Sequence, residues 1–239
     1  MKFLSLCLVL LTLTSSAFQA FAQESSKVPK ADTDANATPI YLDEPEPEPP
    51  ARVTRRLKLP ETYKDKSVRV EREVVQLSDD RVVNDGKYVE YYRDGQKFCE
   101  GVYKMGVFEG KWGYWYPNGQ LCKEVSFKNG KADGQWEVFN KEGIRTSRKS
   151  YKNGKRHGPW VNYYEDGESP KFEISYEQGK PVGERVTYFE SGQKRQTVGF
   201  KDGKMEGLLT EWDESGKKRL TASFKAGKVV GEIQRFDDE

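Results

Sequence analysis

From about Ser67 onward, apolar and polar residues alternate in segments of roughly eight to ten, rich in aromatic and β-branched side chains. Alternation with period two marks half-buried β-strands, and no window keeps a helical period. Glycine pairs separate the segments. One series reads Asp94-Gly95, Asn118-Gly119, Glu142-Gly143, Asp166-Gly167, Ser191-Gly192 and Ser215-Gly216. The other reads Met105-Gly106, Asn129-Gly130, Asn153-Gly154, Gln178-Gly179, Asp202-Gly203 and Ala226-Gly227. Asn-Gly and Asp-Gly accept the positive φ that a type I′ hairpin turn needs, so both series are expected to be two-residue turns. The result is a chain of β-hairpins, an antiparallel meander of about thirteen strands spanning roughly 60 Å at ~4.8 Å per strand.

The hairpins repeat. Glycine recurs at Gly86, Gly110, Gly134, Gly158, Gly183, Gly207 and Gly231, at intervals of 24, 24, 24, 25, 24 and 24 residues. The one extra residue falls near Ser169-Pro170, where a bulge or longer turn would absorb it. With each glycine as position one, the sixth position is always aromatic: Tyr91, Trp115, Phe139, Tyr163, Tyr188, Trp212 and Phe236. The third position is Tyr88, Trp112, Trp136 and Trp160, then Arg185, Leu209 and Ile233. A second aromatic column runs Tyr103, Phe127, Tyr151, Tyr176, Phe200 and Phe224 near the unit ends.

The segments GKWGYWYPNGQL, FKNGKADGQW, YKNGKRHGPW, FKDGKMEG and FKAGKVVG resemble the bacterial variant of the MORN repeat. The resemblance implies an all-β fold: an elongated single-layer antiparallel meander of tandem β-hairpin repeats, used for protein or membrane contact. Some bacterial members are antitoxin components, so an antitoxin-like role is a further implication. GKWGYWY also looks like choline-binding repeats, but those use a shorter unit. On this reading residues 85–239 form the repeat array, and 61–84 form an N-terminal hairpin capping its exposed end strand.

Upstream, the composition changes. Lys2, an apolar run from Phe3 to Leu13 and the small residues of Ala20-Phe21-Ala22 form a signal peptide over residues 1–22, cleaved after Ala22. The apolar run is well short of the roughly 20 residues that span a bilayer. The expected location is therefore the periplasm or the secreted fraction. Residues 23–60 read as a linker whose DEPEPEPP run alternates acid with proline, an extended spacer. Residues 23–50 carry a charge of −5 and residues 51–239 a charge of +6. The whole-chain net charge of +2 gives no argument for nucleic acid.

Candidate chemistry is sparse. The one histidine, His157, sits in a turn and reads as solvated; alone it cannot form a multi-histidine metal site, and no Cys-x-x-Cys spacing is present. No catalytic residue, metal or cofactor is expected. Cys99 and Cys122 differ in strand parity and lie roughly 10 Å apart on equivalent strands, beyond the ~7 Å reach of a disulfide. Charge summed over the Met105-Gly106 series of turns gives +6, and over the other series zero. One long edge is thus basic, centred on Lys128, Lys131, Lys152, Lys155 and Arg156. The sixth-position column is the candidate structural ladder, because every junction between units repeats it. The third-position row of Tyr88, Trp112, Trp136 and Trp160 is the candidate recognition row. A protein partner is the leading expectation, with anionic lipid or cell-wall glycan as the alternative for the basic edge.

Overall fold

A computed structural model of the chain describes residues 50–236. The expected signal peptide and most of the acidic linker lie outside the described residues. The rest is one open antiparallel sheet in which each strand pairs with the next in sequence. The strands are β1 (Val53–Thr62), β2 (Val68–Leu77), β3 (Val82–Tyr91), β4 (Lys97–Lys104), β5 (Val107–Trp115), β6 (Leu121–Lys128), β7 (Lys131–Ala132), β8 (Gly134–Phe139) and β9 (Arg145–Lys152). They continue as β10 (Lys155–Tyr163), β11 (Pro170–Glu177), β12 (Lys180–Tyr188), β13 (Lys194–Lys201), β14 (Lys204–Met205), β15 (Gly207–Trp212), β16 (Lys218–Lys225) and β17 (Lys228–Arg235). β7 and β8 both pair with β6, and β14 and β15 both pair with β13, so each couple is one strand interrupted at a single residue. With those rejoined, β3 to β17 make the thirteen-strand hairpin meander that the alternation predicts.

The recurring glycine is a bulge. Between β4 and β5, Cys99 opposes Tyr114 and Tyr103 opposes Phe108, so four steps on one strand face six on the other, across Gly110. The same two-residue excess recurs at each of the other six glycines, on β3, β7–β8, β10, β12, β14–β15 and β17. All seven have positive φ, from 67° at Gly110 to 124° at Gly86. A bulge bends its strand and raises the local twist, and a residue without Cβ takes that backbone at little cost.

The two series of turns differ. At Met105-Gly106 both residues have positive φ, 48° and 84°, and all the turns of that series share this type I′ pattern. The other series departs from the type I′ expectation. There only the glycine has positive φ, and Tyr92 N–H donates to Gln96 O at 2.7 Å while Gly95 N–H donates to Tyr92 O at 3.0 Å. This is a longer loop ending in a glycine bulge, and the strand register slips beside it, between Glu90 and Tyr91. The Asp94 carboxylate accepts the Gln96 N–H at 3.0 Å, a side-chain turn that favours this loop over type I′. The extra residue is taken up here as expected: Tyr164 N–H reaches on to Ser169 O.

The capping hairpin starts earlier than residue 61. β1 lies mostly inside the stretch read as linker, and it pairs along β2 from Val53↔Leu77 to Thr62↔Val68. Leu57, Leu59 and Glu61 are half-buried while Arg56, Lys58 and Pro60 between them are exposed. Pro60 and the dense charge hide this strand in the sequence. Both are tolerated because β1 pairs with β2 alone among the described residues, and both discourage a further strand from adding there.

The core is a thin line of buried side chains running along the sheet, from Val70, Val74 and Val75 through Trp112 and Val125 to Val198 and Leu209.

Candidate functional site

The third-position residues and the unit-end aromatics form one ring row. Its contacts run Tyr88–Tyr103 (5.4 Å), Tyr103–Phe108 (5.0 Å), Phe108–Phe127 (5.0 Å) and Phe127–Trp136 (5.6 Å). They continue Trp136–Tyr151 (4.7 Å), Tyr151–Trp160 (5.4 Å) and Trp160–Tyr176 (5.0 Å). Each tryptophan in the row is anchored. The indole N–H of Trp112 donates to Val102 O, that of Trp136 to Ser126 O and that of Trp160 to Ser150 O, at 3.0–3.1 Å.

Trp112 leaves the recognition row. It is only 1% exposed, packed with Cys99 and Val125 and ringed by Tyr88, Tyr103, Phe108 and Tyr114. The reason is Gly101: a Cβ there would lie 2.1 Å from the indole, so only glycine lets the ring settle onto the strand. Other units carry Val125, Lys149, Ile174, Val198 and Ala222 in that place. Gly101 beside a tryptophan was the signal available in the sequence. Tyr88, Trp136 and Trp160 are half-buried.

The sixth-position rings do not form the expected ladder; no two of them touch among the described residues. Four of the seven take charged partners instead. Lys97 lies 4.8 Å over Trp115 and Arg145 4.6 Å over Tyr163, while the hydroxyls of Tyr91 and Tyr188 donate to Glu71 and Glu173. The contact that joins successive units is made one residue later. Tyr92 OH donates to Trp115 O (2.7 Å), Tyr116 OH to Phe139 O (3.0 Å) and Tyr164 OH to Tyr188 O (2.5 Å). Tyr63 does the same from the cap, to Tyr91 O at 2.7 Å. The recurring Tyr-Tyr and Trp-Tyr pairs carry that signal.

The basic edge is built by stacked type I′ turns. Gly130 N–H donates to Phe108 O, Gly154 N–H to Ala132 O and Gly179 N–H to Arg156 O, each turn resting on the strand of the unit before. The acid just before the bulge glycine caps the next turn: Asp85 accepts Met105 N–H, Glu109 accepts Asn129 N–H and Asp133 accepts Asn153 N–H, at 2.8–3.0 Å. The Met105 bond, then the Arg56 guanidinium at 2.7 Å, hold the Asp85 carboxyl below its usual range. In the fourth unit His157 takes the acid's place. It is half-buried rather than solvated, and its Nδ1 is buried without a hydrogen-bond partner.

With the acids turned inward, the lysines face out. Lys128 opposes Lys131, Lys152 opposes Lys155, Lys201 opposes Lys204 and Lys225 opposes Lys228. All eight are exposed, and none has an ion-pair partner among the described residues. Like charges directly across a strand pair are unfavourable, so this repetition costs stability. Arg156 departs from that edge. Its guanidinium lies 4.5 Å over Trp160 and 5.2 Å over Tyr176. Lys149 lies 5.3 Å over the same indole, and burial, then Arg156, lower its pKa. The two candidate regions therefore meet at Trp160, where half-buried aromatics, a stacked guanidinium and the Lys152–Lys155 pair share one place.

Among the described residues no group of three or more His, Cys, Asp or Glu side chains is placed to hold a metal. Cys99 and Cys122 are both buried and are not joined by a disulfide. Burial pushes the Cys99 thiol up to about 12, which keeps it protonated and unreactive.

Stacked hairpins, bulge glycines at constant period and a ring row define a β-hairpin repeat scaffold. Residues 84–105 and 108–129 match the model of the MORN repeat variant, two adjacent matches in step with the bulge glycines Gly86 and Gly110. The five remaining bulge glycines extend the same geometry to the end of the sheet. A comparison with curated proteins finds no match.

Proposed function

We propose that this protein is an exported, non-catalytic scaffold that binds a protein partner in the periplasm or cell envelope. The binding patch is centred on Arg156 and Trp160, with Tyr151 and Tyr176 beside them. The observation that carries this reading is the guanidinium held between Trp160 and Tyr176 on a half-exposed surface. Tryptophan, tyrosine and arginine dominate the energetics of protein interfaces, where rigid rings need little ordering on binding. The leader read from Lys2 to Ala22 supports export. The lysine pairs would steer an acidic partner toward the patch.

A second reading has its own observation. Four unneutralised lysine pairs along one edge suit an extended anionic surface, anionic lipid or cell-wall glycan, without help from the rings. A pull-down from envelope extract separates the two. A discrete protein retained by the parent chain, lost with Arg156→Ala/Trp160→Ala and kept with Lys152→Glu/Lys155→Glu, supports the first. Lipid or wall material lost with the lysine pair alone supports the second and refutes the first.

A further inference from the structure

We propose that the sheet face beyond Trp160 carries a groove that binds an acidic oligosaccharide, its sugar rings laid across the strands and its carboxylates at Lys171 and Arg195. The groove has a volume of about 730 Å³ and runs from β10 to β16, within the size range of small-ligand sites. It shares no residue with the Arg156–Trp160 patch or the lysine pairs, and it depends on neither reading. Its floor is one line of facing residues. Asn162 opposes Phe172, Phe172 opposes Thr187, Thr187 opposes Gln196 and Gln196 opposes Glu211. That line crosses five strands, about 19 Å at ~4.8 Å per step. The groove opens because the ring row stops at Tyr176 and mostly polar side chains continue the face.

Backbone register places charge on the rim. Beside each glycine loop one strand carries an extra residue. It is Phe98, Cys122 and Thr146 in the first three units, then Lys171, Arg195 and Arg219. Lys171 lies 5.3 Å over Tyr164 and Arg195 5.6 Å over Phe189, while Asp213 holds Arg219 at 2.9 Å. Lys171 and Arg195 have no carboxylate partner among the described residues. They stand one unit apart, two strand spacings, close to the length of two sugar rings in an extended chain. The floor matches the rest of such a ligand. The Asn162 amide and the Thr187 hydroxyl make no side-chain hydrogen bond among the described residues, and no other ring packs on Phe172 between them. Amides and hydroxyls both donate and accept, as sugar hydroxyls do, and an uncovered aromatic face suits the apolar face of a sugar ring. A peptide recognised by a sheet gains affinity from main-chain bonds at an edge. Every strand under this floor is paired on both sides, so the groove offers side chains alone.

The test is calorimetric titration of the full chain with tetramers of galacturonate and of mannuronate. Saturable one-to-one binding of at least one tetramer is expected, and its methyl ester, which has lost the charges, should bind at least tenfold more weakly. Lys171→Ala/Arg195→Ala should weaken binding at least tenfold, with far-ultraviolet circular dichroism unchanged because both side chains are exposed. Thr187→Val keeps the shape, removes the hydroxyl and should weaken binding roughly threefold or more. Lys152→Glu/Lys155→Glu should leave it unchanged, which separates the groove from the lysine edge. No saturable binding of either tetramer at millimolar concentration overturns the inference. So does equal affinity for the ester, binding that Lys171→Ala/Arg195→Ala retains, or binding lost with the Lys152→Glu/Lys155→Glu pair. Tighter binding of hexaglutamate than of either tetramer overturns it too, and would make the groove a site for acidic peptide.

Discussion

The four units that begin at Gly86, Gly110, Gly134 and Gly158 and the three that begin at Gly183, Gly207 and Gly231 share one backbone and fill it differently. In the first group the third position is Tyr88, Trp112, Trp136 or Trp160, and the ring row is continuous to Tyr176. In the second it is Arg185, Leu209 or Ile233. Arg185 reaches over Phe200 and bonds Gln196, which bonds Glu211, and the buried line becomes Thr197, Val198, Leu209, Thr210, Thr221 and Ala222. The bulge excess and the type I′ turns are the same in both. Register therefore belongs to the glycines and turns. The rings supply apolar contact in the first group and leave a half-exposed surface where that row ends.

Trp112→Ala should break the comparison most strongly, costing about 3–5 kcal/mol in denaturant unfolding because the ring is fully buried. Leu209→Ala, the same column in the second group, should cost only about 2 kcal/mol. Equal losses would mean that the ring row has no special share of the core.

Alkaline pH should come next. Burial raises the pKa of Tyr88, Tyr103, Tyr114 and Tyr151, and that of Cys99 from 9.0 to about 12; all five lie in the first group. A group whose folded pKa is raised stabilises the fold fully below its unfolded value and loses that contribution as pH climbs toward the folded one. Stability should fall as pH rises from about 9 to 12, and hydrogen exchange should show the first group opening before the second. Tyr188 is the one such tyrosine in the second group, raised to about 12.

Bulge glycines should sharpen the comparison from the other side. Gly134→Ala (φ 103°) and Gly207→Ala (φ 87°) should each cost about 1–2 kcal/mol, the two groups alike. Thermal unfolding that differs by more than a factor of two between them would deny the bulge its common role. Tyr116→Phe removes one bond between units and should cost about 1 kcal/mol, whereas Phe189, in the same column, already lacks the hydroxyl. Lys152→Glu should change stability by less than about 0.5 kcal/mol, since it touches only an exposed edge.

Much of this molecule is written locally. Alternation, paired glycines and the 24-residue period determine the hairpins, their order, the strand parity and the type I′ turns, because each depends on neighbours a few residues apart. The place of the extra residue near Ser169 follows from counting alone. The tertiary structure decided the rest. It put Trp112 under cover and left Trp160 half-open, because burial depends on what stands across the strand, Gly101 in one case and Lys149 in the other. It drew Arg156 off the lysine edge onto two rings, and it made β1 a strand despite Pro60, because a strand paired on one side only does not need the donors on its outward side. Period two tells a side chain which face it takes. Only the strands on either side determine how much water is left there.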